Sequence, residues 1–363
     1  MADPMPPWLS NPTQPSLAPP AVQPAPPLAV VTLAAGREPV ALLRGLCALA
    51  LQRSREGLFL APGAFGVVLV PNGPAAAVEG ALDGLGPSVP FPVRITAPVP
   101  AGDWALRAGL DAALHWAGPA GVVLTTEAGA VPEAGWVAHA VAALTHAPLD
   151  AVLGRVVPPA GPDPAGRYAA ALAAMAARLD PDPADPAPPH GHAAAASFAI
   201  RGAALRALGG LPVGPEGGLA GLLAALHRRD GRIRHLDGMR VEAALPPLAI
   251  EPAMVAWCRL RARRAVRGFW AAGIGVFERE TTEFRRWAAR LGLPAGALGA
   301  ALSAPRFGEA WAAVTAASPV LAAPRRLPHS ALPQELLRAR MLLALARLPA
   351  HPWTPRHAAV GTV

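Results

Sequence analysis

The chain has 363 residues, enough for one large domain or two medium ones, and is 53% hydrophobic but only 5% aromatic, with 45 prolines and 36 glycines. Its net charge is +8 and all 32 basic side chains are arginine, an excess that a GC-rich genome supplies together with Ala, Gly and Pro, so no nucleic-acid partner is expected. Two cysteines, Cys47 and Cys258, exclude a disulfide framework, and no run of about 18 strongly apolar residues marks a transmembrane span. The start, with Asp3 and early prolines, does not read as a signal peptide, and a soluble cytoplasmic protein is expected. Both cysteines sit in apolar helical contexts and are expected to be small buried side chains.

Residues 1–27 are rich in Pro, Ala, Gln and Ser without periodicity and are expected to form a disordered, Pro-rich arm. From Leu28 the pattern changes. Leu28–Leu33 is a strand-like run, and Val40–Gln52 places Leu42, Leu43, Leu46, Leu49 and Ala50 on one helical face. Gly66–Val70 is a second strand, closed by Pro71-Asn72-Gly73-Pro74, and Val93–Ile95 a third. Trp104–Trp116 reads as a helix and Gly121–Leu124 as the next strand. Such alternation implies parallel pairing with right-handed crossovers. Thr125, Thr126, Glu127, Ala128 and Gly129 then follow where a buried strand leaves the sheet, the end at which open α/β sheets bind ligands.

Asp150–Pro158 is a candidate strand and Tyr168–Leu179 a helix. Asp180, Asp182 and Asp185 alternate with prolines ahead of His190 and His192, which gives either a divalent-metal site or, as favoured here, a solvated Pro-rich loop. Ala196–Ile200 is a strand, followed by Arg201, a short helix and Gly209-Gly210 as its C-cap turn. From about residue 246 the pattern is helical. Met254–Trp270 and Phe277–Leu291 carry many arginines, either as a solvated face paired with Glu278, Glu280 and Glu283 or as a surface for anionic lipid head groups.

These segments resemble, in order, those of family-2 glycosyltransferases, whose fold is of the GT-A type. The likeness rests on the strand before Glu127 with Pro132, Trp136 and Val137 after it, and on the Arg201 to Gly209-Gly210 segment. It implies an α/β, GT-A-like, mostly parallel sheet flanked by helices at 28–245, with a helical C-terminal region at 246–363. It implies transfer of a sugar from a nucleotide-sugar donor to a glycan or small-molecule acceptor, with a divalent cation, Mn or Mg, as cofactor. On the family's pattern Glu38 and Arg107 are the nucleotide-binding candidates, Glu127 the metal candidate and Glu216 a displaced catalytic base.

The same pattern shows losses. Glu127-Ala128-Gly129 stands for Asp-x-Asp, Pro71 for a base-contacting Asp, and Gly217-Gly218-Leu219 for the motif that carries the base. The alternative expectation is therefore a pseudo-glycosyltransferase that binds a partner protein or a glycan. Glu283-Phe284-Arg285-Arg286-Trp287 looks like an acceptor motif of processive polysaccharide synthases, and is read as coincidence because those enzymes need membrane helices.

Overall fold

The computed structural model describes residues 28–35, 38–72, 75–86, 89–100, 102–158, 164–182, 185, 196–212, 217–243, 251–273, 281–322 and 327–346. The expected N-terminal arm lies outside them. In chain order the first half comprises β1 (Ala29–Ala35), α1 (Pro39–Ala50), β2 (Phe65–Pro71), α2 (Ala75–Leu85), β3 (Val93–Ile95), α3 (Asp103–Ala117) and β4 (Val122–Glu127). Next come β5 (Val131–Pro132), α4 (Trp136–His146), β6 (Ala151–Val157), α5 (Pro164–Leu179), β7 (Phe198–Arg201), α6 (Gly202–Ala207), α7 (Gly218–Arg228) and β8 (Ile233–Glu242).

The strands form one sheet in the order β3-β2-β1-β4-β7-β6-β8-β5. β1 pairs in parallel with β2 and β4, β2 with β3, and β6 with β8. This is the mostly parallel, helix-flanked sheet that the resemblance implies. The antiparallel part of the sheet is β7, which runs antiparallel to both β4 and β6, together with β5, which runs antiparallel to β8. The reason is that α5, between β6 and β7, packs on the C-terminal helices instead of crossing over the sheet.

Strand alternation sorts the core into two layers. Ala29, Val31, Leu33 and Ala35 of β1 meet Leu42, Leu46 and Leu49 of α1 and Trp136 and Leu144 of α4. On the other face Val30 joins Val68, Val70, Val123 and the α3 residues Ala105, Leu110 and Ala113. Burial of each Val or Leu contributes about 1.5–3 kcal/mol, so the period-two pattern fixes register as well as stability. Helix α2 has no counterpart in the sequence reading, because its apolar face is Ala77, Val78 and Ala81 and its alanines and glycines blur the periodicity.

The C-terminal region holds α8 (Ala253–Ala272), α9 (Thr282–Arg290), α10 (Ala295–Leu302), α11 (Phe307–Ala317), α12 (Pro319–Ala322) and α13 (Leu332–Leu345). Among the described residues no helix is long and apolar enough to cross a membrane. Ala262 and Val266 of α8 pack on Phe284, Trp287, Leu298 and Val314. Tyr168 and Met175 of α5 pack with Ala253, Leu332, Ala339 and Leu342. The Tyr168 hydroxyl donates to the Glu251 carbonyl at 2.8 Å, and its burial pushes the phenol well above its ordinary range. Glu335, buried on α13, accepts the Ala253 amide at 2.7 Å and so satisfies a free N–H at the start of α8.

Three expectations about polar residues change. The arginines of α8 take partners other than those expected: Arg259 pairs with Glu251, while Arg263 and Arg267 lie 2.9 and 3.6 Å from the buried Asp180 carboxylate. Glu278 and Glu280 lie outside the described residues. Asp185 is not a solvated loop residue, since its carboxylate meets His235 Nδ1 at 2.5 Å with side chains only 11% and 9% exposed. Both cysteines are exposed, because Cys47 falls off the Leu42, Leu46, Leu49 stripe of α1 and Cys258 off the Ala256, Ala262, Val266 stripe of α8.

Candidate functional site

The order of connection reverses at β1. From β1 the chain steps outward through β2 to β3, then returns through α3 to place β4 on the opposite side of β1. Helices α1 and α2 cover one face and α3 the other, so a crevice opens over the carboxyl ends of β1 and β4. A cavity of about 400 Å³ occupies it. Thr32 and Ala34 of β1, Thr125, Thr126 and Glu127 of β4, Asn72 after β2, the first turn of α3 and Leu219 of α7 line its walls.

Paired register explains the chemistry of the floor. Val30 faces Val123 in the apolar layer, whereas the next pairs on that face are Thr32 with Thr125 and Ala34 with Glu127. The sheet thus turns polar along one face as it enters the crevice. Glu127 is the last residue of β4 and half-buried; burial holds its carboxyl above the ordinary value of 4.5. No basic side chain occurs among the described residues lining the cavity. Thr126 is also buried, and its hydroxyl oxygen has no hydrogen-bond partner.

A second carboxylate comes from Asp103, the first residue of α3, where the helix dipole favours negative charge. It packs against the start of α7: a Cβ on Gly218, whose φ is +66°, would stand 2.4 Å from Asp103 Oδ1. Glycine at 218 therefore serves both the backbone conformation and the approach of the carboxylate. Asp103 was not a sequence candidate. The available signal was Gly102-Asp103 ahead of an apolar helix, an acidic first turn.

Helix α3 can lie this close because residue 109 is glycine. A Cβ there would sit 2.0 Å from Thr32 Oγ1 and 3.2 Å from Val70 Cγ2. Gly109→Ala is expected to lift α3 off β1 and lose about 1–3 kcal/mol by overpacking. Gly80→Ala, where nothing lies within 4 Å in mid-helix, should instead gain about 0.5–1 kcal/mol. Urea midpoints of the two variants check the contrast.

Of the three sequence candidates among the described residues, Glu127 lines the cavity, and Glu38 and Arg107 are not among its lining residues. Glu38 is exposed before α1, where its carbonyl accepts the Leu42 amide at 3.3 Å, and Pro39 opens the helix. Arg107 points along the flank of α3 and forms an i,i+4 ion pair with Asp111 at 3.8 Å. Glu216 lies outside the described residues, as do His190 and His192. Leu219 does line the cavity, so the position where the resemblance expects the base carries an apolar wall. Pro71 ends β2 as expected, and Asn72, one residue further, supplies the polar side chain that proline lacks.

Hard cations take oxygen ligands, often one or two protein carboxylates completed by water or ligand phosphates. Glu127 and Asp103 with Asn72 offer such donors, and a half-buried carboxyl such as Glu127 is what a bound cation would stabilise in its charged form. Among the described residues there is no group of three or more His, Cys, Asp or Glu that could hold a metal by itself. The donor set therefore fits a cation shared with a ligand and does not fit an all-protein cage.

Neither family models nor curated proteins match the chain. Solved structures do. One is a mannosyltransferase from Pyrobaculum calidifontis in complex with GDP-Man and Mn²⁺, at 19% identity over 89% of this chain and 85% of that one, TM-score 0.45. Another is glucosyl-3-phosphoglycerate synthase from Mycobacterium tuberculosis with phosphoglyceric acid, at 16% identity over 74% and 81%, TM-score 0.41. A third is GalNAc-T7 with UDP, GalNAc and Mn²⁺, at 13% identity over 82% of this chain and 59% of that one, TM-score 0.43.

Proposed function

We propose that the chain is a glycosyltransferase-type protein that takes a nucleotide sugar together with a divalent cation in the crevice between β1 and β4. The observation that carries this reading is the polar cavity of about 400 Å³ at the reversal point of the sheet, with Glu127 on its floor and Asp103 at its rim. Two carboxylates without a basic side chain among the described lining residues would repel a bare diphosphate. Glu127 and Asp103 would hold Mg²⁺ or Mn²⁺, which would supply the neutralisation of phosphate charge that these side chains cannot. Asn72 and the three threonines offer hydrogen bonds to base, ribose or sugar hydroxyls.

Thermal shift across a panel of nucleoside diphosphate sugars, with and without Mn²⁺, tests the reading. Stabilisation by at least one sugar nucleotide that requires the metal supports it; no shift under either condition sinks it.

Leu219 favours a second reading, a binding or scaffold partner that performs no transfer. Sugar transfer needs a group to take the acceptor's proton, and a general base contributes about 10²–10⁴ in rate. Leu219→Asp is therefore expected to raise transfer to a saturating acceptor by about that factor, measured as released nucleotide. No released nucleotide from either the wild type or the variant, with the nucleotide sugar still bound, would assign the chain to binding alone.

A further inference from the structure

Helix α13 presents an apolar stripe to solvent. Leu337, Met341 and Leu345 stand at i, i+4 and i+8 and are 61%, 59% and 55% exposed. At roughly 100° per residue they fall on one side of the helix, with Arg340 at one edge and Arg338 at the other. The opposite side, Leu332, Ala339 and Leu342, is already buried against α5 and α8. The exposed stripe is therefore not needed for the fold, and a helix on a globular surface ordinarily turns polar residues outward.

The charge around the stripe is one-sided. Helices α5, α8 and α13 carry two, five and two arginines; Arg259 is paired with Glu251, Arg263 and Arg267 with Asp180, and Arg338 with the buried Glu335, while Arg178, Arg264 and Arg340 are exposed and these helices hold no exposed acid. Arg178 of α5 donates from Nε to the Ala346 carbonyl at 3.3 Å, which sets it beside the end of the stripe at Leu345. Arg264 of α8 donates to the neighbouring Leu179 carbonyl at 3.3 Å and remains exposed. An apolar centre between basic edges is the composition of a helix that lies in a lipid interface, where the apolar side chains enter the acyl boundary and the arginines meet phosphate.

We propose that α13 is an interfacial anchor, docking the chain on an anionic bilayer surface through Leu337, Met341 and Leu345 with Arg178 and Arg340 on lipid phosphates. Nucleic acid would use the arginines and leave the stripe wet. A second copy would bring arginine against arginine, since these three helices hold no exposed acid to complement it. The surface is separate from the β1/β4 crevice, so this inference does not depend on the crevice's ligand.

Co-sedimentation of the full chain with phosphatidylcholine vesicles, with and without phosphatidylglycerol, tests it. Partition onto the anionic vesicles alone is expected, weakening with salt. Leu337→Asp with Met341→Asp should abolish it, and Arg340→Gln should weaken it about fivefold. All three positions are exposed, and circular dichroism with a urea midpoint shows that the variants keep the fold. No partition onto anionic vesicles overturns the proposal. So does partition that both sets of variants leave unchanged, or a solution dimer that Leu337→Asp dissolves.

Discussion

Trp136→Ala is expected to cost about 3–5 kcal/mol, a large share of the roughly 5–15 kcal/mol that holds a domain together. Trp136 opens α4 and is fully buried between that helix and the sheet. Its indole Nε1 donates to Ser197 Oγ at 2.9 Å, and Ser197 Oγ donates in turn to the Met239 carbonyl at 2.9 Å. The relay ties α4 to the residue preceding β7 and to β8. It fits because Gly154 of β6 has no side chain: a Cβ there would lie 1.9 Å from Ser197 Oγ and 2.1 Å from the Met239 carbonyl. Removal of the indole leaves a cavity and withdraws one hydrogen bond, whereas Trp136→Phe keeps most of the volume and loses mainly the bond, about 1 kcal/mol. Denaturant unfolding separates the two variants. A loss below about 1 kcal/mol for the alanine variant would show that α4 does not need this anchor.

Glu127→Gln should abolish metal-dependent nucleotide binding while making the empty protein more stable at neutral pH. Losing a support of a metal ligand typically costs about 10–100-fold in affinity, so losing the ligand itself should weaken cation binding by more than about a hundredfold. The stability change has a definite sign. Burial raises the Glu127 carboxyl above 4.5, so between that value and its folded value the native state holds more protons than the unfolded one. Stability contributed there falls as pH rises through the window, and the uncharged amide avoids the loss. The glutamine variant should melt higher than the wild type near pH 7, with the advantage vanishing as the pH falls below 4.5. Equal melting at all pH values would mean that Glu127 is well solvated. For the same reason cation affinity should rise with pH as Glu127 ionises.

Much of the fold was legible where apolar runs are long and unmixed. Strands β1, β2 and β4 and helices α1 and α3 lie within a few residues of their expected spans, because Val and Leu alternate or cluster there. Gly209 and Gly210, with φ of +76° and +86°, make the expected turn after α6. Helix α2 was hidden by its alanines, which pack without a strong hydrophobic signature. The reversal of β7 was hidden because pairing direction depends on where α5 docks, and that is a contact with α8 and α13 far along the chain.

The candidate site was legible at one point only. Glu127 follows a buried strand, and a strand end is where ligands sit. Asp103 showed in the sequence only as an acidic first turn, because its place at the site comes from the tertiary approach of α7 at Gly218. Arg107 and Glu38 are not among the cavity's lining residues: Arg107 pairs with Asp111 along α3, and Glu38 stands exposed ahead of α1. Asp185 looked solvated because prolines surround it in sequence, while its partner His235 is fifty residues away.

The most direct measurement is a pair of calorimetric titrations: Mn²⁺ into the free protein and Mn²⁺ into protein saturated with the best nucleotide sugar. Reciprocal tightening is predicted, each ligand raising the other's affinity by the same factor, with the Glu127→Gln variant losing the coupling. A nucleotide sugar that binds equally well with and without the cation, or one that never binds, would contradict a shared site on Glu127 and Asp103.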